Sequence, residues 1–306
     1  MKIRQDENLN KNVGFNAVNA GNAFTLSVVF LLFFSIVLSI LTITLKIEGD
    51  ICYFLNFVPA PLSVICTLLA LYLRGQKNCF KLLVPKKASG YSVISALLII
   101  LGLMFGLSTL NEYFVKAIEY LISLIKGSQV AISVPELPAY STKNLIFAIL
   151  FVCIIPTITE ELLMRKIVLD GLKEVGEVFA VFIGGLLFSI FHMNPAQTVY
   201  QFIVGSAFCY VALKGGNYLV TMLAHFINNL FIVLNYYFFK ITFNPIMEII
   251  VTVLGVACFI IGLIILYKKG EKLKRGVNKN AMREFLISVV LGVIICVSMW
   301  ISVLVG

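Results

Sequence analysis

Long apolar stretches dominate the chain and predict transmembrane helices. Most run for about 20 residues without alternation of polar and apolar positions, which fits a helix crossing hydrocarbon and not a strand of a membrane barrel. Pro59 and Pro61 are expected to kink or divide the second stretch. We predict helices over residues 23–45, 52–73, 91–110, 144–174, 178–193, 196–213, 217–240, 247–267 and 285–304.

The composition places the chain in the same class. Hydrophobic residues make up 60% of it, charged residues 13%, and the mean hydropathy is +1.00. A soluble core of this length has no room for so many apolar side chains. The predicted fold class is therefore all-α, a polytopic transmembrane helical bundle of about eight to nine spans, and we expect an integral, multi-pass membrane protein.

Basic residues concentrate in two connections, residues 74–87 and 268–283. Cytoplasmic loops accumulate Lys and Arg, so both connections are expected inside, together with the N-terminus. The net charge of +9 is then mostly a consequence of topology. Membrane lipids are expected partners, and nucleic acid is not.

Four segments are expected along the chain, with no internal repeat. Residues 1–22 form a polar cytoplasmic N-terminal segment, 23–143 the N-terminal membrane helices with an amphipathic connection, 144–240 a helical core that contains both histidines, and 241–306 the C-terminal membrane helices. Within the connection 111–143, helical spacing of apolar residues predicts a helix lying at the membrane interface, either in a packing or lid role or in contact with substrate. The seven cysteines show no CxxC spacing, so neither disulfides nor metal are assigned to them.

Ionisable side chains inside the apolar stretches are the candidates for chemistry, because their insertion is costly. Glu160, Glu161 and Arg165 form an EExxxR string in the fourth predicted helix. Glu161 and Arg165 stand four apart, the favourable order for an ion pair, which leaves Glu160 as the reactive carboxylate. The alternative is that all three form a solvated helix end.

The only two histidines also fall in apolar stretches. His192 follows Phe188 by one helical turn, so the aromatic ring is expected to pack on the imidazole. Glu160 and His192 each lie 16 residues from a predicted hairpin turn at Gly176, so antiparallel helices would bring them to one level. A packing role for His192 is the simpler alternative.

His225 and Asn229 share a helix face four residues apart, whereas Asn228 points elsewhere as an interhelical hydrogen bonder. His225 lies about 9 or 10 residues from the turn at Gly215 and Gly216, a shallower depth than that of His192. The two histidines would reach the same depth only if one of their helices were tilted.

The EExxxR, FxxxH and HxxxN strings, in this order over residues 144–232, resemble the CAAX prenyl protease type II and bacteriocin-processing family (CPBP, or Abi) of intramembrane proteases. The resemblance implies hydrolysis of a peptide bond in a membrane-associated, hydrophobic or lipid-modified peptide or protein. It implies that Glu160 and His192 activate a water and that His225 and Asn229 donate hydrogen bonds to the oxyanion. The predicted catalytic residues are thus Glu160, Glu161, His192, His225 and Asn229, with Arg165 and Phe188 as structural support.

No cofactor is assigned with certainty. Glu160, His192 and His225 are the residues that would hold a zinc ion (Zn2+), as the metalloprotease label of the family suggests. The HExxH arrangement is absent and Asn is a poor zinc ligand, which favours activation of water without metal.

Two other functions stay open. Intramembrane ionisable groups also mark ion and proton routes, so a transporter or channel using Glu160 and the two histidines is the main alternative. A membrane scaffold without enzymatic activity, such as a bacteriocin-immunity factor acting by binding, is the third and would tolerate loss of both histidines.

Overall fold

The computed structural model describes residues 15–76, 87–132, 134–274 and 276–305. Cys79 and several basic residues of the two connections lie outside this part. The helices are α1 (Ala17–Thr44), α2 (Asp50–Leu55), α3 (Pro59–Leu73), α4 (Gly90–Gly102), α5 (Ser108–Lys126), α6 (Thr142–Ala148), α7 (Ile155–Glu161), α8 (Leu169–Leu172), α9 (Glu177–Phe191), α10 (Thr198–Gly215), α11 (Tyr218–Leu234), α12 (Pro245–Lys269) and α13 (Lys279–Val305).

Several of these helices are parts of longer ones. Wider π-helical turns at Leu103–Leu107, Ile149–Ile154 and Leu162–Val168 join α4 to α5, α6 to α7, and α7 to α8. In the described part of the chain, eight continuous helices are long and apolar enough to cross a membrane, and α9 is a shorter apolar helix of 15 residues. The predicted polytopic all-helical bundle is confirmed.

Two predicted boundaries differ from the structure. The division expected of the second predicted helix is present, because α2 ends at Leu55 and Pro59 occupies the first turn of α3. The first helix begins at Ala17, since the Asn16 side chain accepts a hydrogen bond from the backbone of Asn19 and caps it. The amphipathic helix predicted after residue 110 is not separate: it continues α4 through the π-helical turn as α5.

Small residues set the tightest helix contacts. A methyl group at Gly106 would lie 2.5 Å from the backbone nitrogen of Val256, and one at Gly255 would lie 2.5 Å from the nitrogen of Gly106. Gly185 of α9 and Gly205 of α10 meet in the same way. Close backbone approach supplies the van der Waals contact that holds helices together in lipid.

One end of the bundle collects most of the connections that include basic residues. Three hydrogen bonds join four segments there. The Ala17 nitrogen donates to Glu174 Oε2 and connects the start of α1 to the turn before α9. The nitrogens of Asn278 and Glu271 donate to the carbonyls of Val175 and Lys214, which connects the segment before α13 to that turn and to the end of α10. Tyr91, next to the start of α4, also donates to the Lys214 carbonyl. We call this the basic end.

α11 and α5 border the region that carries the candidate residues. α11 packs against α4, α7 and the π-helical turn 149–154. α5 has no buried side chain, but Asn111 donates to the Ala196 carbonyl and accepts from the Tyr200 backbone, at 2.7 and 3.0 Å. The amphipathic helix is therefore fastened to the start of α10, which fits the expected packing role.

Candidate active site

Three elements carry the predicted residues into one region of the bundle. Glu160 and Glu161 end α7, and Arg165 lies in the π-helical turn that follows. His192 is the C-cap of α9, beyond which Met193 turns left-handed with φ of 50°. His225 and Asn229 lie in α11.

Glu161 is the centre of a fully buried polar cluster. Its side chain is 0% exposed, and one oxygen lies 3.3 Å from Arg165 Nε. The same oxygen accepts a hydrogen bond from the Thr221 hydroxyl at 2.7 Å. The other oxygen faces His225 Nδ1 at 3.1 Å. The expected pairing of Glu161 with Arg165 is present, and Glu161 is in addition the residue that holds His225.

Arg165 is buried between aromatic rings. Its guanidinium carbon lies 4.6 Å from the centroid of Phe188 and 5.7 Å from that of Phe208. Within the described residues its three nitrogens make no hydrogen bond of good geometry, so Glu161 is the counter-charge of this cation. The solvated helix end considered from the sequence is thereby excluded, because both side chains are 0% exposed.

Glu160 and His192 meet at the edge of this cluster. Glu160 Oε2 lies 3.8 Å from His192 Nε2, and the side chains are 14% and 16% exposed, respectively. The two helices therefore bring the residues to one level, as the equal spacing from Gly176 predicted. Glu160 Oε2 is buried and has no hydrogen-bond partner among the described residues.

The backbone fixes which His192 nitrogen faces Glu160. His192 Nδ1 lies 2.8 Å from the carbonyl oxygen of Phe188, and because a carbonyl only accepts, Nδ1 carries the proton. In the neutral imidazole, Nε2 then presents its lone pair to Glu160. Two acceptors face each other, a geometry that a water molecule can satisfy by donating one proton to each.

Phe188 touches three members of the site. Its ring centroid lies 4.9 Å from that of His192, in the edge-on contact expected from the FxxxH spacing. The same ring lies 6.1 Å from the ring of His225 and under the Arg165 guanidinium. Phe188 is fully buried, and its ring packs on both imidazoles and on the Arg165 guanidinium, which limits the positions that these side chains can take.

Asn229 belongs to a second hydrogen-bond chain. Its amide donates to the Val152 carbonyl at 3.0 Å and accepts from the Asn228 amide at 3.1 Å. Asn228 in turn accepts from the Tyr200 hydroxyl at 2.8 Å. Asn228 is thus the interhelical hydrogen bonder that its position indicated, and it orients Asn229.

Thr221 and Tyr200 are polar contacts of the site that sequence reasoning missed. Thr221 precedes His225 by four residues, as His225 precedes Asn229, so the spacing alone placed all three on one helix face. Tyr200 carried no such signal, because its contact with Asn228 joins two helices.

The residues present do not fit a metal site. Among the described residues, no group of three or more His, Cys, Asp and Glu side chains converges closely enough to hold an ion. Of the three suggested zinc ligands, Glu160 faces His192, whereas His225 is engaged with the different carboxylate of Glu161. Glu161 itself is fully used by Arg165, Thr221 and His225.

The fold and the site together define an integral multi-pass membrane protein with an acid–imidazole pair buried among its helices. Residues 142–231 match the family model described as Rce1-like, type II CAAX prenyl endopeptidase Rce1-like. This segment contains all seven predicted site residues and is similar to the family of type II CAAX prenyl endopeptidases that its motifs resemble. The match supports a protease. No curated protein and no solved structure matches the chain.

Proposed function

We propose that this chain is an intramembrane endopeptidase that hydrolyses a peptide bond of a hydrophobic or lipid-modified peptide or protein. The observation that carries the proposal is the Glu160–His192 pair, in which a buried carboxylate oxygen without a hydrogen-bond partner among the described residues faces the Nε2 atom of His192 at 3.8 Å. Such a pair has the composition and spacing of a site that activates water.

In the proposed reaction, water donates one hydrogen bond to Glu160 and one to His192. Glu160 takes a proton as the water oxygen attacks the scissile carbonyl carbon, which forms a tetrahedral oxyanion. The carbon–nitrogen bond then breaks, and the proton held by Glu160 passes to the leaving amine. The products are a carboxylic acid and an amine, and the pair returns to its starting state.

His225 and Asn229 are the proposed donors to the oxyanion. His225 directs Nδ1 at the Glu161 carboxylate, so Nε2 donates to the oxyanion only when the ring is an imidazolium. Asn229 uses one amide proton on the Val152 carbonyl and keeps the second available. Removal of a single oxyanion donor typically lowers kcat by about 10²- to 10³-fold.

The test is hydrolysis of reporter peptides by the purified protein in vesicles, with farnesylated and unmodified versions of one sequence. Glu160→Gln is expected to lower kcat by about 10²-fold or more, as loss of a general base does. Glu248→Gln, which changes an exposed acid in the first turn of α12, is the matched control and is expected to keep full activity. Undiminished hydrolysis by Glu160→Gln would refute the mechanism.

Two measurements separate the alternatives. In the hydrolysis assay, a transporter would cleave none of the peptides before mutation. In complementation of a strain that lacks the protein, a binding scaffold would keep its function in His192→Ala and His225→Ala variants, whereas a protease would lose it. Treatment with a chelator is expected to leave hydrolysis unchanged, because the three suggested zinc ligands do not converge; a loss that zinc restores would contradict water activation by Glu160 and His192 alone.

A further inference from the structure

A groove on the lipid-facing side of the bundle lies apart from the Glu160–His192 pair. It runs between α10 and α12, with α9 along one side, and has a volume of about 480 Å³. Its wall is almost entirely apolar and includes Phe202, Ile203, Phe259, Leu263 and Ile264. From Phe202 to Tyr210 the α10 wall rises about 12 Å at 1.5 Å per residue, a length suited to part of an acyl chain.

A buried cation stands at the end of this groove. Lys214 lies one turn beyond Tyr210 at the basic end and is 4% exposed. Its ammonium lies 5.9 and 5.7 Å from the ring centroids of Tyr210 and Tyr267, both of which line the groove. Its hydrogen bond is a long one, 3.4 Å to the Tyr267 carbonyl.

Within the described part of the chain, the Lys214 ammonium forms no ion pair with a carboxylate inside 4.0 Å. Glu271 donates its backbone nitrogen to the Lys214 carbonyl, and its carboxylate lies beside Gly216 without pairing with the ammonium. A buried ammonium needs a charged or strongly polar partner to offset its lost hydration. Two ring faces and one long carbonyl contact leave most of this requirement unmet.

We infer that the groove binds one anionic phospholipid, with an acyl chain between α10 and α12 and the headgroup phosphate on Lys214. The apolar wall suits the chain and repels a polar ligand, and the ammonium at the basic end supplies charge complementarity. Exposed Lys268 and Lys269 next to Tyr267 add to the positive field at the mouth. Tyr267 is 68% exposed, so its ring can move aside for the phosphate.

This site is independent of the proposed hydrolysis. It uses neither of the two polar networks around Glu161 and Asn229, so lipid binding and peptidase activity are separable by mutation.

The test is lipid binding to the purified full chain, measured by native mass spectrometry with dioleoyl phosphatidylglycerol and dioleoyl phosphatidylcholine. We expect phosphatidylglycerol to be retained preferentially. Lys214→Gln is expected to weaken this preference about fivefold, the size of one lysine's attraction to an anionic lipid surface. Lys214→Arg keeps the charge and should keep most of the preference.

Two further variants test the groove and the charge separately. Ile264→Trp fills the groove from an exposed, lipid-facing position and should lower retention of both lipids while Lys214 stays intact. Lys46→Gln changes an exposed lysine that follows α1 at the opposite end of that helix from the basic end; it is the charge control and should change the preference little. Glycerol phosphate without acyl chains should not displace the bound lipid; displacement would assign the site to a free phosphate and overturn the proposal. Equal retention of the two lipids, or an unchanged preference in Lys214→Gln, would overturn it as well.

Discussion

Replacement of Arg165 by Met tests whether the buried charge cluster holds the site together. Arg165 and Glu161 are both 0% exposed and lie 3.3 Å apart, so removal of the guanidinium leaves a carboxylate in the protein interior. Loss of one partner of a buried ion pair costs about 3–5 kcal/mol. Thr221 and His225 still contact Glu161, and we therefore expect a loss near the lower end, about 3 kcal/mol.

The measurement is unfolding in mixed micelles as the fraction of sodium dodecyl sulfate rises. The chain has one tryptophan, Trp300, whose indole nitrogen donates to the Thr198 hydroxyl at 2.8 Å. Its fluorescence therefore reports the packing of α13 against the start of α10, away from the substituted residue. The free energy of unfolding follows from the midpoint and slope of the transition.

Two matched variants separate charge from shape. The double variant Glu161→Gln with Arg165→Met has no buried charge in this pair and should recover much of the loss, because a neutral pair needs no counter-ion. Lys173→Met removes a partially exposed ion pair with Asp170 and should cost about 0.5 kcal/mol or less. The argument from buried charge fails if Arg165→Met is as stable as the parent. It also fails if the double variant is about 3 kcal/mol less stable than Arg165→Met.

Two further predictions rest on single contacts. Thr221→Val removes a hydroxyl that lies 2.7 Å from both the Glu161 carboxylate and the Tyr218 carbonyl, so its single proton is shared between the two acceptors. A hydrogen bond to a charged group is worth about 1.5–3 kcal/mol, and because this one is shared we expect a loss near about 1.5 kcal/mol in the same unfolding assay. Thr159→Val removes a hydroxyl that bonds only the backbone of its own helix and should change stability less. Gly255→Val places a side chain against the Gly106 backbone, because the first added carbon would lie only 2.5 Å from the Gly106 nitrogen. Overpacking of this kind costs about 1–3 kcal/mol or more and should lower the thermal stability in detergent. An unchanged thermal stability would show that α4 and α12 are free to separate.

Local patterns in the chain were sufficient for several features of the site. The i,i+4 spacing of Glu161 and Arg165 predicts their ion pair, and that of Phe188 and His192 predicts their ring contact, because residues four apart share a helix face. The equal distances of Glu160 and His192 from Gly176 predict their meeting, because a tight turn makes successive helices antiparallel. Each inference needs only helix geometry and one turn.

Contacts between distant helices were not predictable in this way. The sequence suggested that His225 would join Glu160 and His192, yet it is held by Glu161, and the shallower position of His225 along its helix is consistent with that outcome. The chain from Tyr200 through Asn228 to Asn229 depends on the rotation of α10 against α11. The continuity of α4 with α5 likewise depends on the π-helical turn Leu103–Leu107, which no pattern in the sequence predicted.

The amino-acid sequence by itself determined that this protein is a bundle of membrane helices, because the backbone of a segment in hydrocarbon must form its own hydrogen bonds. It also determined which ionisable side chains lie within those helices, because each such side chain interrupts an apolar stretch at an energetic cost. Only the tertiary structure decided how those side chains are paired. Partner choice depends on helix rotation, tilt and close approach at small residues such as Gly185 and Gly205, and these are set by packing between segments far apart in the chain.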